Sequence, residues 1–376
     1  MTIDNPLVRL HELGQSVWLD SLSRNLIRSG KLKRLIERDG VTGVTSNPAI
    51  FEKAIGGTTA YDGDIRKLAD SGKSAAEIYR SLSIQDIQET ADLLRPVYVQ
   101  SNRSDGYVSL EVSPMLAHDA GGTVREAHEL WRALSRPNAM IKIPATKEGL
   151  WAIAECTAAG INVNVTLIFG LQRYREVAEA YIQGIGQRAG QGLEVSNIRS
   201  VASFFLSRID VLVDQVLGSV RSDAVSAEAA RGLRGTAAIA AARVAYQIYK
   251  EIFKGDRFRM AEERGARRQW LLWGSTGTKT KEDSDVKYVE ALIGPETVNT
   301  IPMETLDAYR DHGSPEPRLE SDVDAAREVL STLEAVGVRM DEISGKLEED
   351  GIRKFVEPFE KLLRGLDQKR HSLQTV

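Results

Sequence analysis

The chain has 376 residues, is 42% hydrophobic, and sets 49 Lys plus Arg against 53 Asp plus Glu for a formal charge of −4. That is enough for one large α/β domain with insertions or for two ordinary domains, and folding needs neither metal nor disulfide. The charge balance leaves no basic field for nucleic acid, and no apolar run approaches the roughly 18 residues of a membrane span.

A single Cys156 cannot pair within the chain, and the N-terminus, Met1-Thr2-Ile3-Asp4-Asn5, lacks the charged and apolar regions of a leader, so a cytoplasmic protein is expected. Cys156 sits in a helical stretch, Ala154-Glu155-Cys156-Thr157-Ala158, with no histidine nearby, and reads as a small packed hydrophobe. His11, His118, His128, His312 and His371 are scattered, with no metal-ligand spacing, so neither metal nor cofactor is expected. Small molecules or further copies of this chain are the expected partners.

Eight short apolar or alternating runs recur between helical stretches: Ser16 to Asp20, Val41 to Asn47, Tyr107 to Val112, Ala139 to Pro144, Ile161 to Leu167, Ile198 to Phe205, Gln269 to Gly274, and Thr297 to Pro302. Strands alternating with helices are the mark of a parallel sheet, and eight such repeats point to a closed (β/α)8 TIM barrel, with a doubly wound sheet as the competitor. Two connections are longer. The second-to-third gap holds extra helix over Ala75 to Gln100, and the sixth-to-seventh gap holds an Ala-rich stretch over Ala227 to Phe253. The barrel is expected over about 15–312. Beyond His312-Gly313-Ser314-Pro315-Glu316-Pro317, spaced apolar residues in Val323 to Leu330 and Phe355 to Leu366 predict a helical C-terminal extension, about 318–370, packed on that same single domain.

The fourth run contains the most informative residue. In Ala139-Met140-Ile141-Lys142-Ile143-Pro144 the apolar Ile141 and Ile143 share one face, which leaves Lys142 on the other with Met140 and Pro144. A buried lysine is rare unless paired or used, and a neutral amine in an apolar site attacks carbonyls to form a Schiff base. The plainer reading is an edge strand whose lysine faces water.

Other strands carry polar residues of matching parity. Asn162, Asn164 and Thr166 alternate with apolar positions in the fifth run; Asp20 ends the first, Asn47 ends the second, and Glu111 lies opposite Val108, Leu110 and Val112 in the third. In a closed barrel these positions converge on one interior, whereas an edge-strand lysine gathers no such company. A phosphate site is also legible: Ser203 and Arg208 lie at and just past the sixth strand, and Gly274-Ser275-Thr276-Gly277-Thr278-Lys279 follows the seventh, where barrels commonly bind phosphate. This loop is no Walker A motif, and Gly184-Ile185-Gly186 follows a helix instead of a strand, so it is no dinucleotide signal.

Six segments in order, Trp18-Leu19-Asp20, Gly43-Val44-Thr45-Ser46-Asn47-Pro48, Val108-Ser109-Leu110-Glu111-Val112, Ile141-Lys142-Ile143-Pro144-Ala145-Thr146, Asn162-Val163-Asn164-Val165-Thr166-Leu167 and Ser203-Phe204-Phe205-Leu206-Ser207-Arg208, make the chain resemble the Schiff-base-forming (class I) transaldolase family. The resemblance runs from about Gln15 to Thr300. It implies a (β/α)8 barrel of the pentose phosphate shunt that transfers a dihydroxyacetone unit between sedoheptulose 7-phosphate or fructose 6-phosphate and glyceraldehyde 3-phosphate or erythrose 4-phosphate. By matching positions, Lys142 would form the Schiff base, Glu111 and Thr166 would hold a proton-shuttling water, and Asp20 would take the proton of the C4 hydroxyl. Asn47 and Asn164 would bind the three-carbon unit, and Ser203, Phe205, Arg208 and Lys279 would complete the substrate site. Many family members carry arginine after the seventh strand, where Thr278 and Lys279 stand here. The long tail and the sixth-to-seventh insertion resemble a longer bacterial or plastid-like branch, and homo-oligomer formation varies between branches.

Two rivals are distinguishable. A fructose 6-phosphate aldolase of the same superfamily releases free dihydroxyacetone, and such relatives tend to carry Gln at the position of Glu111 and Tyr at that of Phe205. A non-catalytic sugar-phosphate binding barrel would be expected to lack Lys142, Asp20 or Glu111.

Overall fold

The computed structural model describes residues 5–219, 231–280 and 282–374. Eight strands, β1 (Gln15–Leu19), β2 (Val41–Val44), β3 (Tyr107–Glu111), β4 (Ala139–Pro144), β5 (Val163–Ile168), β6 (Ser200–Phe205), β7 (Trp270–Gly274) and β8 (Thr297–Ile301), follow one another around a closed barrel. Every neighbouring pair is parallel, including the closing pair of β1 with β8. The closed ring removes the sheet edge on which a solvent-facing Lys142 depends, and Lys142 is 4% exposed.

Alternation along the strands sorts the side chains into two cores. Val17, Leu19, Val108, Leu110, Ile141, Ile143, Val163 and Val165 face outward under the helices. Trp18, Tyr107, Met140, Val201, Leu272 and Val298 pack with Tyr98 as a separate apolar cluster, the floor of the lumen. Gly43 is required beside that floor, because a Cβ there would come within 2.4 Å of the Trp18 ring. The polar residues of the same parity stand above this floor, toward the C-terminal ends of the strands.

The β2–β3 connection contains helices Pro48–Gly56, Asp62–Asp70 and Ala75–Gln100, the last begun by a capping box between Ser74 and Glu77. The β6–β7 connection contains Ser207–Ser219, Ala237–Phe253 and Asp256–Glu262; residues 227–230 of the expected Ala-rich helix lie outside the described residues. Cys156 is fully buried in the helix Lys147–Ala158, where burial pushes its thiol up to about 12.

After the helix that follows β8, Met303–His312, the helix Val323–Ala335 packs against Ala237–Phe253. The final helix, Met340–Gln374, runs across the C-terminal mouth and touches Pro48–Gly56, Asp62–Asp70, Ala75–Gln100, Ser207–Ser219 and β5. Ion pairs tie it down at both ends: Arg173 to Glu348 at 3.3 Å and Lys369 to Asp62 at 2.9 Å. No helix among the described residues is long and apolar enough to cross a membrane.

Candidate active site

Register brings the polar residues together. Glu111 on β3 pairs with Lys142 on β4, which pairs with Asn164 on β5, so three side chains of lumen parity stand at one height. Lys142 Nζ lies 3.3 Å from the Glu111 carboxylate and donates a hydrogen bond to the Ser46 carbonyl at 3.2 Å. On another side the ring of Phe355, from the final helix, is centred 5.3 Å from the same nitrogen.

Strand ends are where expectation and structure differ in detail. Asp20, Thr45 and Val112 lie just past the regular strands, yet the ladder reaches them: the N–H groups donate to the carbonyls of Ile301 (2.9 Å), Leu19 (2.9 Å) and Lys142 (3.1 Å), respectively. Asn47 belongs to the next helix, since Pro48 starts that helix and the Asn47 side chain caps it by accepting from the Ile50 N–H at 3.0 Å. In β5 the alternation breaks after Thr166, because Leu167 adopts φ +63, a left-handed conformation costly for leucine.

Asp20, Asn47, Lys142, Ser203, Phe205, Arg208 and Lys279 line one cavity of about 170 Å³, together with Thr45, Gly274, Thr300 and Phe355. Thr45 Oγ1 donates to Asp20 at 2.7 Å and lies 2.7 Å from Thr300 Oγ1. Burial raises the Asp20 carboxyl above its ordinary value, opposed by Lys142, the Thr45 hydrogen bond, Arg208 and Lys279. Beneath the cavity a buried chain runs from Ser203 Oγ, which donates to Asn164 Oδ1 at 2.7 Å, to the Asn164 amide, which donates to Ser109 Oγ at 2.9 Å.

Glu111 and Thr166 are buried beside this cavity instead of lining it. Burial raises the Glu111 carboxyl to about 7, with Lys142 pulling down and Asp20 pushing up. Thr166 Oγ1 and Arg208 Nη1 have no hydrogen-bond partner among the described residues, whereas Glu111 Oε2 faces the Lys142 amine. Buried polar atoms are ordinarily paired, so Thr166 Oγ1 and Arg208 Nη1 are set for something that arrives. Arg208 is half-buried, its guanidinium centred 5.7 Å from the Phe205 ring; Lys279 is exposed at the rim. No group of three or more His, Cys, Asp or Glu able to hold a metal occurs among the described residues.

Thr45, Ser46, Ser109, Thr300 and Phe355 were not singled out by sequence. Ser109 shares the lumen parity of Glu111 two residues on, so alternation alone marks it. Phe355 carries no such local mark, because only the docking of the final helix brings it over the lumen.

Fold and cleft define the class: a parallel (β/α)8 barrel enzyme with its polar side chains gathered toward the C-terminal ends of the strands. A family model described as Transaldolase/Fructose-6-phosphate aldolase matches residues 17–366. The chain is 45% identical over 380 residues to the Transaldolase of Trichodesmium erythraeum (strain IMS101), covering 100% of both chains. It is 48% identical over 366 residues to the Transaldolase of Thermobifida fusca (strain YX), covering 97% of this chain and 98% of that one. The chain belongs to the transaldolase/fructose-6-phosphate aldolase family.

Proposed function

We propose that this chain is a transaldolase, a transferase that moves a dihydroxyacetone unit from a ketose phosphate to an aldose phosphate through a Schiff base on Lys142. Sedoheptulose 7-phosphate and fructose 6-phosphate are the donors, glyceraldehyde 3-phosphate and erythrose 4-phosphate the acceptors. The observation that carries the reading is a buried lysine amine 3.3 Å from a carboxylate, above an apolar floor and in one cavity with a second carboxylate, Asp20.

Glu111 takes a proton from Lys142 and the freed amine adds to the ketose C2. The carbinolamine then loses water, with Glu111 returning the proton through a water held with Thr166; the raised Glu111 carboxyl suits a group that gives and takes near neutrality. The C3–C4 bond breaks as Asp20 accepts the C4 hydroxyl proton, and the bonding pair moves into the C2 iminium to leave an enamine. The lysine thus supplies the electron sink that a metal supplies in other aldolases.

Asn47, Asn164 and Ser203 hydrogen-bond the three-carbon unit while the first aldehyde leaves. Phe205 offers no hydroxyl that could protonate the carbanion, and Arg208 with Lys279 bind the phosphate. An acceptor aldehyde is attacked by C3, Asp20 returns its proton, and water hydrolyses the new imine.

Borohydride reduction in the presence of fructose 6-phosphate, followed by peptide mass mapping, tests the reading. A three-carbon adduct on Lys142 is expected; an enzyme that turns over with Lys142 unmodified would overturn it.

A further inference from the structure

The amine of Lys142 has polar partners on one side, the Glu111 carboxylate and the Ser46 carbonyl, and an aromatic ring on another. That ring belongs to Phe355, which is 4% exposed and lines the same cavity as Asp20, Ser203 and Arg208. It comes from the final helix, far along the chain from every strand, so its position over the amine is a product of docking and not of barrel geometry.

The docking is specific. Gly351, Phe355 and Phe359 recur at four-residue spacing and so share one helix face. Gly351 sits directly on Leu167 and Phe169, where an added Cβ would meet Leu167 Cδ2 at 3.0 Å. Phe359 packs edge-on against Tyr79 at 5.4 Å, and Tyr79 packs edge-on against Phe51 at 5.7 Å. One turn of helix on either side of Phe355 is thereby fixed, and its ring is held where it is.

We propose that Phe355 is a positioning and specificity-determining residue for the transfer reaction, roofing the Lys142 imine with its ring. The inference rests on the Schiff-base reading. The face of an aromatic ring is negative and favours a cation above it. The nitrogen is cationic in the iminium that precedes C3–C4 cleavage and neutral in the enamine that follows. A fixed ring therefore favours the iminium over the neutral carbinolamine from which it forms, without competing for the substrate's hydroxyls. The ring also has no O–H or N–H. Premature release requires C3 of the enamine to take a proton from water, after which a second water hydrolyses the imine and frees dihydroxyacetone; an apolar roof keeps that first water away until the acceptor arrives.

Phe355→Leu removes the π face and keeps an apolar side chain. With fructose 6-phosphate and erythrose 4-phosphate, kcat is expected to fall about three- to thirtyfold, the range of a desolvated cation–π contact, with KM changed less than twofold. The yield of borohydride-trapped adduct on Lys142 falls, and free dihydroxyacetone per transfer rises several-fold. Phe355→Tyr keeps the π face but adds a hydroxyl to the roof, so its adduct yield stays above that of Phe355→Leu while free dihydroxyacetone per transfer rises, and it carries the test if the leucine variant unfolds. Wild-type kcat, adduct yield and release in Phe355→Leu, or an adduct yield in a folded Phe355→Tyr no better than in Phe355→Leu, would overturn the proposal and leave the ring as packing. Absence of any Lys142 adduct in the unaltered enzyme would instead sink the Schiff-base reading.

Discussion

Thr45 Oγ1 stands 2.7 Å from both Asp20 Oδ1 and Thr300 Oγ1. A hydroxyl has one proton to give, so Thr45 donates to the carboxylate and accepts from Thr300. This bond favours the ionised form of Asp20 against burial, which pushes the other way. Thr45→Val removes the donor, so the Asp20 carboxyl rises further and the acidic limb of the kcat–pH profile moves to higher pH. Hydrogen bonds to charged groups contribute about 1.5–3 kcal/mol, so kcat near neutral pH falls roughly ten- to hundredfold. Thr45→Ser restores both the hydroxyl and the profile; an unmoved limb in the valine variant would remove Asp20 as the base.

In the proposed mechanism Glu111 governs a separate step. Its carboxyl stands at about 7, raised from 4.5 by burial, so it is protonated below that pH and ionised above. The ionised form accepts the lysine proton and is lost as pH falls through about 7; the protonated form assists loss of water and is lost as pH rises. The rate of borohydride-trappable adduct formation is expected to bend on both sides of neutrality. Glu111→Gln removes both limbs and slows adduct formation by roughly 10²- to 10⁴-fold, the usual scale of general acid–base help. A variant whose adduct rate keeps the same bends would assign them to another group.

The barrel was legible because its signals are local. Period-two alternation in Ile161 to Leu167 sorts Asn162, Asn164 and Thr166 from the apolar positions, and the same rule puts Lys142 and Glu111 on one face. Register between strands is not local, yet closure leaves little freedom, and it levels Glu111, Lys142 and Asn164. The second run, Val41 to Asn47, reads as one strand to its last residue, yet the side chain of Asn47 and the following Pro48 make Asn47 a helix cap. The left-handed turn at Leu167 had no sequence signature, and neither did the arrival of Phe355 over Lys142, which depends on the final helix packing across the mouth.

Arg208 and Lys279 separate by burial. Arg208 is half-buried and one of its guanidinium nitrogens has no partner among the described residues, whereas Lys279 is exposed to water. Truncating a buried charged partner costs about 2–5 kcal/mol of binding, so Arg208→Ala is expected to raise KM for phosphorylated sugars at least roughly thirtyfold. An exposed charge contributes about 0–1 kcal/mol, so Lys279→Ala raises KM only about two- to fivefold, and salt weakens the difference. Steady-state kinetics at two ionic strengths check the order; a larger effect at Lys279 would move the phosphate outward to the rim.

Gly43 is fixed by its neighbour. The Trp18 ring covers it and is itself held by a 2.8 Å hydrogen bond from Nε1 to Asp105, so the ring cannot swing away without losing a buried bond. Gly43→Ala is therefore expected to lower stability by about 1–3 kcal/mol as an overpacked core position. Thermal unfolding measures it, and an unchanged Tm would mean that the barrel floor yields where its packing says it should not.

In the proposed mechanism Phe205 acts on the fate of the enamine from within the barrel wall. Its ring is 9% exposed, packs 5.4 Å from the Phe169 ring and lines the cavity with Lys142 and Asp20. A hydroxyl on that ring would be a donor inside the cavity, able to hold a water that protonates C3. Phe205→Tyr is therefore expected to raise free dihydroxyacetone release from fructose 6-phosphate while transfer to erythrose 4-phosphate falls. The Lys142 adduct still forms, since the substitution leaves Glu111 and the amine in place. Product analysis by coupled reduction of dihydroxyacetone checks this, and a Phe205→Tyr enzyme with wild-type release would show that exclusion of a proton donor at this wall is not what keeps the three-carbon unit bound.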